Sequence, residues 1–370
     1  MTPAPVVGIV GSAGAYGRWL SEFLRTRMGL EVLGHDPADP ASLAEEELLE
    51  RAQVLVFSAP IRLTPDVIAH YTALAGGREC GQLWLDVTSI KQAPVAAMLA
   101  SQAEVVGLHP MTAPPKSPTL KGRVLVVCEA RLDHWRPWLT QLCTALEAEC
   151  VPATPEHHDR VMALVQGMVH ATHLAQAGVL RDYAPLLGEL QALMPFRSAS
   201  FELDTAVIAR ILSLNPAIYE DIQFGNPYVP EMLDRLLAQL ATLRELVRQG
   251  DDAARLRFRE QFLQANREAL APASLAAGNY GYERVGYLLA DLTEPLAMSV
   301  YLPQDRPGSL RGLLHVFERH GVNLSSIHSS RTPSGELHFR LGLEPGGDPA
   351  RLAAAAREID HSGIGRVLPD

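Results

Sequence analysis

An apolar run, Val6 to Val10, leads directly into Gly11-Ser12-Ala13-Gly14-Ala15-Tyr16-Gly17 and then into Trp19-Leu20-Ser21-Glu22-Phe23-Leu24. The order strand, glycine-rich turn, helix constrains the fold more than any other stretch. A turn without side chains lets a pyrophosphate reach the backbone, and the following helix start offers free N–H groups and a favourable dipole. In G-x-G-x-x-G register Gly14 and Gly17 take the second and third places and Ser12 the first, with Gly11 just before it. A second apolar stretch, Leu30 to Leu33, ends at Asp36, about 20 residues on, where a dinucleotide-binding unit holds its adenosine ribose. A carboxylate there accepts from both ribose hydroxyls and repels a 2′-phosphate. No Arg or Lys follows in Pro37-Ala38-Asp39, so the pattern favours NAD over NADP.

The rest of the first 154 residues continues the same rhythm. Val54 to Phe57, Leu83 to Leu85, Val105 to Leu108 and Val124 to Val127 read as buried strands, with helical stretches such as Pro65 to Leu74 and Pro94 to Ala100 between them. This alternation predicts a parallel, doubly wound Rossmann-type α/β sheet, with ligands beyond the C-terminal strand ends. From residue 155 to about 290 the strands vanish. Asp159 to Tyr183, Ser200 to Leu214, Val229 to Gln249 and Asp251 to Leu270 carry helical periodicity, predicting an all-α block that supplies a substrate wall and a dimer interface. After a connector, Ala277 to Pro295, residues 296–370 read β-α-β-β-α-β, a ferredoxin-like domain.

Composition narrows the partners. The 370-residue chain carries a formal charge of −10 and no basic run, which argues against nucleic acid. No apolar run has the length of a membrane span, and Met1-Thr2-Pro3-Ala4-Pro5 lacks the features of a signal peptide. Cys80, Cys128, Cys143 and Cys150 show no metal-ligand spacing. The expectation is a cytoplasmic protein with core thiols and no metal.

Three polar clusters could carry chemistry. Asp86-Val87-Thr88-Ser89-Ile90-Lys91 and His109-Pro110-Met111 follow adjacent predicted strands, on the cofactor side of the sheet. The third lies in the helical block: His157-His158-Asp159, Gln166, His170, His173 and Arg210. Histidine fits general base work near neutral pH. Its bland alternatives here are structural roles or a metal site, although no matched ligand pair completes a metal pattern. Lys91 could simply cap a loop. Arg210 sits in Ala206-Val207-Ile208-Ala209-Arg210-Ile211-Leu212, where a buried charge needs a partner: a substrate carboxylate or a structural salt bridge.

Along its whole length the chain resembles the prephenate dehydrogenases. The stretches that carry the likeness are Phe57-Ser58-Ala59-Pro60-Ile61, Asp86 to Lys91, Gly107 to Met111, His158-Asp159 with Met162-Ala163 and His170-Ala171, and Ala209-Arg210 with Asn215 to Ile222. The tail resembles an ACT domain at Asp305-Arg306-Pro307-Gly308-Ser309-Leu310 and at Gly321 to Ile327. The resemblance implies NAD-dependent oxidative decarboxylation of prephenate to 4-hydroxyphenylpyruvate, in tyrosine biosynthesis, by a homodimer regulated by tyrosine. It implies that His109 is the base, Ser89 its neighbour and Arg210 the clamp on the ring carboxylate, with His170, Lys91 and Gln166 contacting substrate. Gly11, Ser12, Gly14, Tyr16, Gly17, Asp36, Ser58 and Pro60 would hold the cofactor, and Gly308, Ser309, Leu310, Asn323 and Leu324 the effector.

Three rivals stay open. An arogenate or dual-specificity dehydrogenase would use the same ring chemistry. A β-hydroxyacid dehydrogenase would need a lysine in the helical block, whereas Lys91, Lys116 and Lys121 all lie in the first domain. A non-catalytic NAD- or amino-acid-sensing regulator would not need Ser89, His109 and Arg210 together.

Overall fold

A computed structural model describes residues 4–114, 117–279, 281–282, 297–302, 306–331, 337–344 and 348–368. Most of the expected connector, the start of the third domain at 296, Asp305 and Lys116 lie outside the described residues. The chain forms two compact units, Met1–Glu245 and Leu246–Asp370. The first joins the expected sheet domain to most of the helical block.

The first unit is built on a seven-stranded sheet. Its strands are β1 (Val7–Val10), β2 (Val32–His35), β3 (Val54–Phe57), β4 (Leu83–Asp86), β5 (Glu104–Pro110), β6 (Val124–Arg131) and β7 (Glu149–Pro152), in the order β2-β1-β3-β4-β5-β6-β7. Helices cover both faces. On one, α1 (Ala15–Arg27) and α5 (Arg136–Leu146) bury Leu20, Phe23, Leu139 and Leu142 against Val7, Val56 and Leu85. On the other, α2 (Glu45–Arg51), α3 (Thr64–Ala75) and α4 (Gln92–Leu99) bury Leu48, Ile68, Tyr71 and Met98 against Leu55, Phe57 and Trp84. Burial on both faces explains why these strands read as continuous apolar runs.

The sheet is not wholly parallel, as the sequence rhythm had suggested. Strand β6 runs antiparallel to β5, and β7 parallel to β6. No described helix lies between Pro110 and Val124, so the chain has no crossover and returns beside the strand it left. Strand β7, which opens with the polar pair Glu149-Cys150, was not visible as an apolar run.

Strand β1 has neighbours on both sides, β2 and β3, and the chain reverses direction of winding there. The crevice of such a sheet opens at this point. The turn that fills it is shaped by missing side chains. Gly11 has φ +85, and a Cβ on it would lie 2.5 Å from the Ser58 carbonyl oxygen. A Cβ on Gly17 would lie 2.2 Å from the Gly11 oxygen. Gly11 therefore makes the tight turn that the first place of the motif requires. The Ser12 hydroxyl instead packs over Gly34 of β2, where a Cβ would come within 2.5 Å of it.

The helical part of this unit comprises α6 (Pro155–Met162), a π-helical segment (Ala163–Met168), α7 (Val169–Leu187), α8 (Leu190–Leu193), α9 (Ala199–Ser213), α10 (Pro216–Gly225) and much of α11 (Val229–Gln249). Asn215-Pro216, which looks like a break, is a helix start: the Asn215 side chain caps the Ala217 N–H and proline occupies the first turn.

In the second unit, α12 (Asp252–Phe258), a π-helical segment (Arg259–Gln264) and α13 (Ala265–Ala269) precede a four-stranded sheet. Strands β8 (Ala297–Leu302), β9 (Leu324–Arg331), β10 (Leu337–Leu343) and β11 (Arg366–Leu368) are ordered β11-β8-β10-β9, all antiparallel. Helices α14 (Ser309–Arg319) and α15 (Pro349–His361) contribute Leu313, Val316, Phe317, Ala355 and Ile359 to a core with Val300, Phe339 and Leu341. The element order is the expected β-α-β-β-α-β.

Gly17→Ala is expected to lower unfolding free energy by about 1–3 kcal/mol, the range for overpacking against an unyielding neighbour. Gly178→Ala, inside α7 with open space around it, should stabilise by about 0.5–1 kcal/mol. Urea unfolding of the two variants checks both signs.

Candidate active site

The C-terminal ends of β3, β4 and β5 face the π-helical segment, α7, α9 and α10 across a cleft of roughly 410 Å³. Its walls bring together Tyr16, Ser58, Pro60, Ser89, His109, Gln166, His170 and Arg210. These residues come from seven different segments, and the sequence had proposed every one of them.

His109, at the end of β5, is 2% exposed. Its Nδ1 lies 2.8 Å from His158 Nε2, and His158 Nδ1 lies 2.7 Å from Asp159 Oδ1. Asp159 is fully buried and also accepts from two backbone N–H groups, Lys91 to Oδ1 at 2.8 Å and Gln92 to Oδ2 at 2.9 Å. Those donors mark the start of α4, so the helix terminus supplies the carboxylate with two hydrogen bonds. The hydrogen-bond directions follow. Asp159, already accepting from backbone N–H groups, accepts from His158 Nδ1–H; His158 Nε2 then accepts from His109 Nδ1–H, and the lone pair of His109 stands on Nε2. Gln166 Nε2, 3.4 Å from His109 Nε2, is the group that meets it. Burial, then the neighbouring His158 and Lys91, push the His109 pKa well below the usual imidazole value. The cleft thus contains a neutral, oriented base. His158 and Asp159 are the functional residues that sequence reasoning singled out without assigning a role. Their adjacency was the signal, but the third member of the chain is 49 residues away.

His170, on α7, stands edge-on to Tyr219 of α10, with ring centroids 4.9 Å apart. Its Nδ1 is buried without a partner, and burial followed by His173 lowers its pKa. Ser89 lines the cleft but makes no hydrogen bond to His109. Asp221 of α10 accepts from the Arg62 backbone N–H at 3.2 Å, and the Asn226 amide donates to the Asp159 carbonyl at 2.8 Å. These bonds hold the helices against the sheet.

Two expectations are corrected. Lys91 does not reach the cleft. Its side chain is fully buried, and its ammonium donates to Asp86 and, at 2.8 Å, to the Leu108 carbonyl. The pair ties the end of β4 to β5, and it has room because residue 107 is glycine: a Cβ there would lie 3.0 Å from Lys91 Cδ and 3.1 Å from Asp86 Oδ1. Arg210 is not a buried charge within an apolar helix. It is exposed on α9 at the cleft wall, without a carboxylate partner among the described residues, so the cost of burying it does not arise. Its guanidinium remains available to an anion.

The turn also fits a dinucleotide. Gly14 caps α1 with no side chain in the way, leaving the first N–H groups of the helix free of side-chain caps. Asp36 Oδ2 accepts from the Ala13 N–H at 2.9 Å and Oδ1 from the Ala38 N–H at 2.9 Å, which fixes the carboxylate beside the turn. The Tyr16 hydroxyl is buried without a partner, and burial raises its pKa. In the second unit, Gly308 (φ +96) precedes α14, the Ser309 hydroxyl accepts from the Arg306 N–H, and the Asn323 amide is engaged by Glu344 at 3.0 Å. Leu310 is exposed, and Leu324 begins β9.

Lys91→Met would strand the Asp86 carboxylate in the interior, at an expected cost of about 3–5 kcal/mol. Adding Asp86→Leu should recover much of that loss. Chemical denaturation of the single and double variants measures it.

Residues 154–263 match the family model described as the prephenate dehydrogenase dimerization domain. A probable arogenate/prephenate dehydrogenase of Methanocaldococcus jannaschii is 27% identical over 280 residues, covering 71% of this chain and 60% of that protein. The T-protein of Enterobacter agglomerans is 30% identical over 257 residues, 68% of this chain and 64% of its own. This chain therefore spans less than two thirds of the length of these two relatives. A crystal structure of prephenate dehydrogenase from A. aeolicus, in complex with hydroxyphenyl propionate and NAD+, shares the fold with a TM-score of 0.56 at 19% identity, covering 73% of this chain and 99% of that one. The helical block thus matches the prephenate dehydrogenase dimerization domain, and the chain is similar to an enzyme described as an arogenate/prephenate dehydrogenase.

Proposed function

We propose that the protein is an NAD-dependent prephenate dehydrogenase that converts prephenate to 4-hydroxyphenylpyruvate. The observation that carries this reading is the buried chain Asp159–His158–His109, which presents a neutral Nε2 lone pair to the cleft. The name of the M. jannaschii relative supports the ring substrate, and the NAD+ in the A. aeolicus structure supports the cofactor.

Bound NAD supplies the hydride acceptor. The uncapped N–H groups at the start of α1 would hold its pyrophosphate, and Asp36 would take the ribose hydroxyls. His109 Nε2 accepts the proton of the ring hydroxyl as hydride leaves the carbinol carbon, and the C–O bond becomes C=O. The bond from the ring to its carboxylate then breaks, releasing carbon dioxide. Its electron pair aromatises the ring and returns charge to the oxygen, which recovers the proton from His109. Arg210 holds a substrate carboxylate, His170 closes the pocket with Tyr219, and Ser89 hydrogen-bonds the hydroxyl beside His109.

Exposed apolar side chains of the helical block, among them Leu164, Val179, Leu186, Phe196, Leu212 and Phe224, support a homodimer. No described helix is long and apolar enough to cross a membrane, and the proposed setting is the cytoplasm. The C-terminal β-α-β-β-α-β domain is proposed as an ACT domain that senses tyrosine through Gly308, Ser309, Leu310, Asn323 and Leu324. Arogenate is the second substrate reading, supported by the name of the M. jannaschii relative. NADH formation with prephenate and with arogenate separates the two, and silence with both would defeat the enzymatic reading.

His109→Asn should lower kcat by about 10²–10⁴, the usual worth of a general base. Because the His109 pKa is depressed, the base stays neutral as pH falls through 6.5, so kcat/KM should begin to decline only below that value. A pH profile centred at 6.5 or above would contradict the assignment.

Arg210→Gln should raise KM for prephenate about 5–30-fold, or about 1–2 kcal/mol, near the low end for a charged hydrogen bond because the guanidinium is exposed. An unchanged KM would remove Arg210 from substrate binding.

A further inference from the structure

We propose that Gln166 is a catalytic hydrogen-bond donor that caps the lone pair of His109 when the cleft is empty and turns to the reacting oxygen when substrate arrives. This rests on the proposed dehydrogenase reading and deepens it.

Three observations carry the inference. The first is contact: Gln166 Nε2 lies 3.4 Å from His109 Nε2, the atom left as the base. The lone pair on that nitrogen fixes the amide orientation, since the opposite orientation would set two acceptors face to face. The second is incompleteness. Gln166 Oε1 is buried without a hydrogen-bond partner, so the side chain is held by one long bond and leaves an acceptor unpaired. Such a group is poised to rearrange when a hydroxyl-bearing ligand enters. The third is placement. Gln166 sits in the π-helical segment, whose Gly167 packs against α11 with a Cβ position only 2.8 Å from Val229 Cγ2, while the Gly167 carbonyl accepts from the Gln223 amide at 2.8 Å. The backbone beneath the amide is fixed although its tip is not. Segments of this kind are common where function displaces regular helix geometry.

The chemistry follows from these positions. The ring hydroxyl donates its proton toward His109 Nε2, displacing the Gln166 N–H from that lone pair. The freed N–H then points to the hydroxyl oxygen. As the ring carboxylate departs and its electron pair moves through the ring, charge gathers on that oxygen until His109 returns its proton. An N–H donor turned to that oxygen favours this charge more than it favours the neutral hydroxyl, which is what raises turnover.

Two isosteric variants test the proposal. Gln166→Met should lower kcat about 10–100-fold while KM for prephenate and Kd for NAD stay within threefold. Gln166→Glu places a carboxylate against the lone pair and should move the acid limb of the pH–rate profile upward by one unit or more. The charged and titratable groups around His109 are otherwise unchanged: Lys91 with Asp86, His158 with Asp159, and, across the cleft, His170 and Arg210. A Gln166→Met enzyme with kcat within twofold of wild type, or a Gln166→Glu enzyme with its acid limb unmoved, would overturn the role. If Gln166→Met does not fold, Gln166→Glu alone decides. The imidazole titration of His109 in the ligand-free protein, followed by NMR, should show the same upward shift in Gln166→Glu without any substrate. That readout separates failure of the Gln166 contact from failure of the dehydrogenase reading, which absence of NADH formation by the wild type would signal.

Discussion

The Asp159 carboxylate is the interaction on which the site depends. It is buried at the junction of the sheet and the helical block, and each of its oxygens accepts a backbone N–H from the start of α4. Those two bonds fasten α6 to the sheet. The same oxygen that takes the Lys91 N–H also takes His158 Nδ1–H and thereby sets the tautomer of two histidines in series. One carboxylate thus does mechanical and chemical work together. Its cost of burial is offset by the donors of a helix terminus rather than by a cation, which leaves the cleft itself without a fixed counter-charge beside the base.

The cations near the site divide along this line. Lys91 is neutralised from within by Asp86 and stays beneath the cleft, where its residual field helps keep His109 uncharged. Arg210 stands at the wall with no described partner. A site that must recognise an anion and yet keep its base unprotonated benefits from this separation, because a bound carboxylate meets its guanidinium on α9 while the imidazole sits on β5.

Much of this was legible in the chain. Continuous apolar runs marked the strands because both sheet faces are covered. The glycines of the first turn and Asp36 declared the crevice, and His109, Ser89, Gln166, His170 and Arg210 all reached it. What could not be read depended on distant partners. Lys91 looked like a polar residue at an open strand end, and its burial is allowed only by the missing side chain of Gly107 on the next strand. Arg210 looked buried because its helix is apolar, but helix periodicity does not say which residue faces solvent until the neighbouring helices are placed. The reversal at β6 left no trace in hydropathy, since an antiparallel strand inside a covered sheet is as apolar as a parallel one. His158 acquired meaning only when β5 and α6 met.

The π-helical segment has a consequence for how related sequences can vary. Each residue in an α-helix turns the chain by about 100°, so the widened turn between Ala163 and Met168 sets the angular phase of everything after it. Gln166 lies within that turn and His170 four residues on, a spacing that keeps both on the face toward the cleft. Loss of a single residue there would relax the segment to an ordinary helix and move the amide of Gln166 off the His109 lone pair, while α7, the fold and its apolar packing could persist. Homologous chains that preserve every named side chain but differ in length by one residue at this point would then be expected to differ in chemistry, a distinction visible in spacing alone.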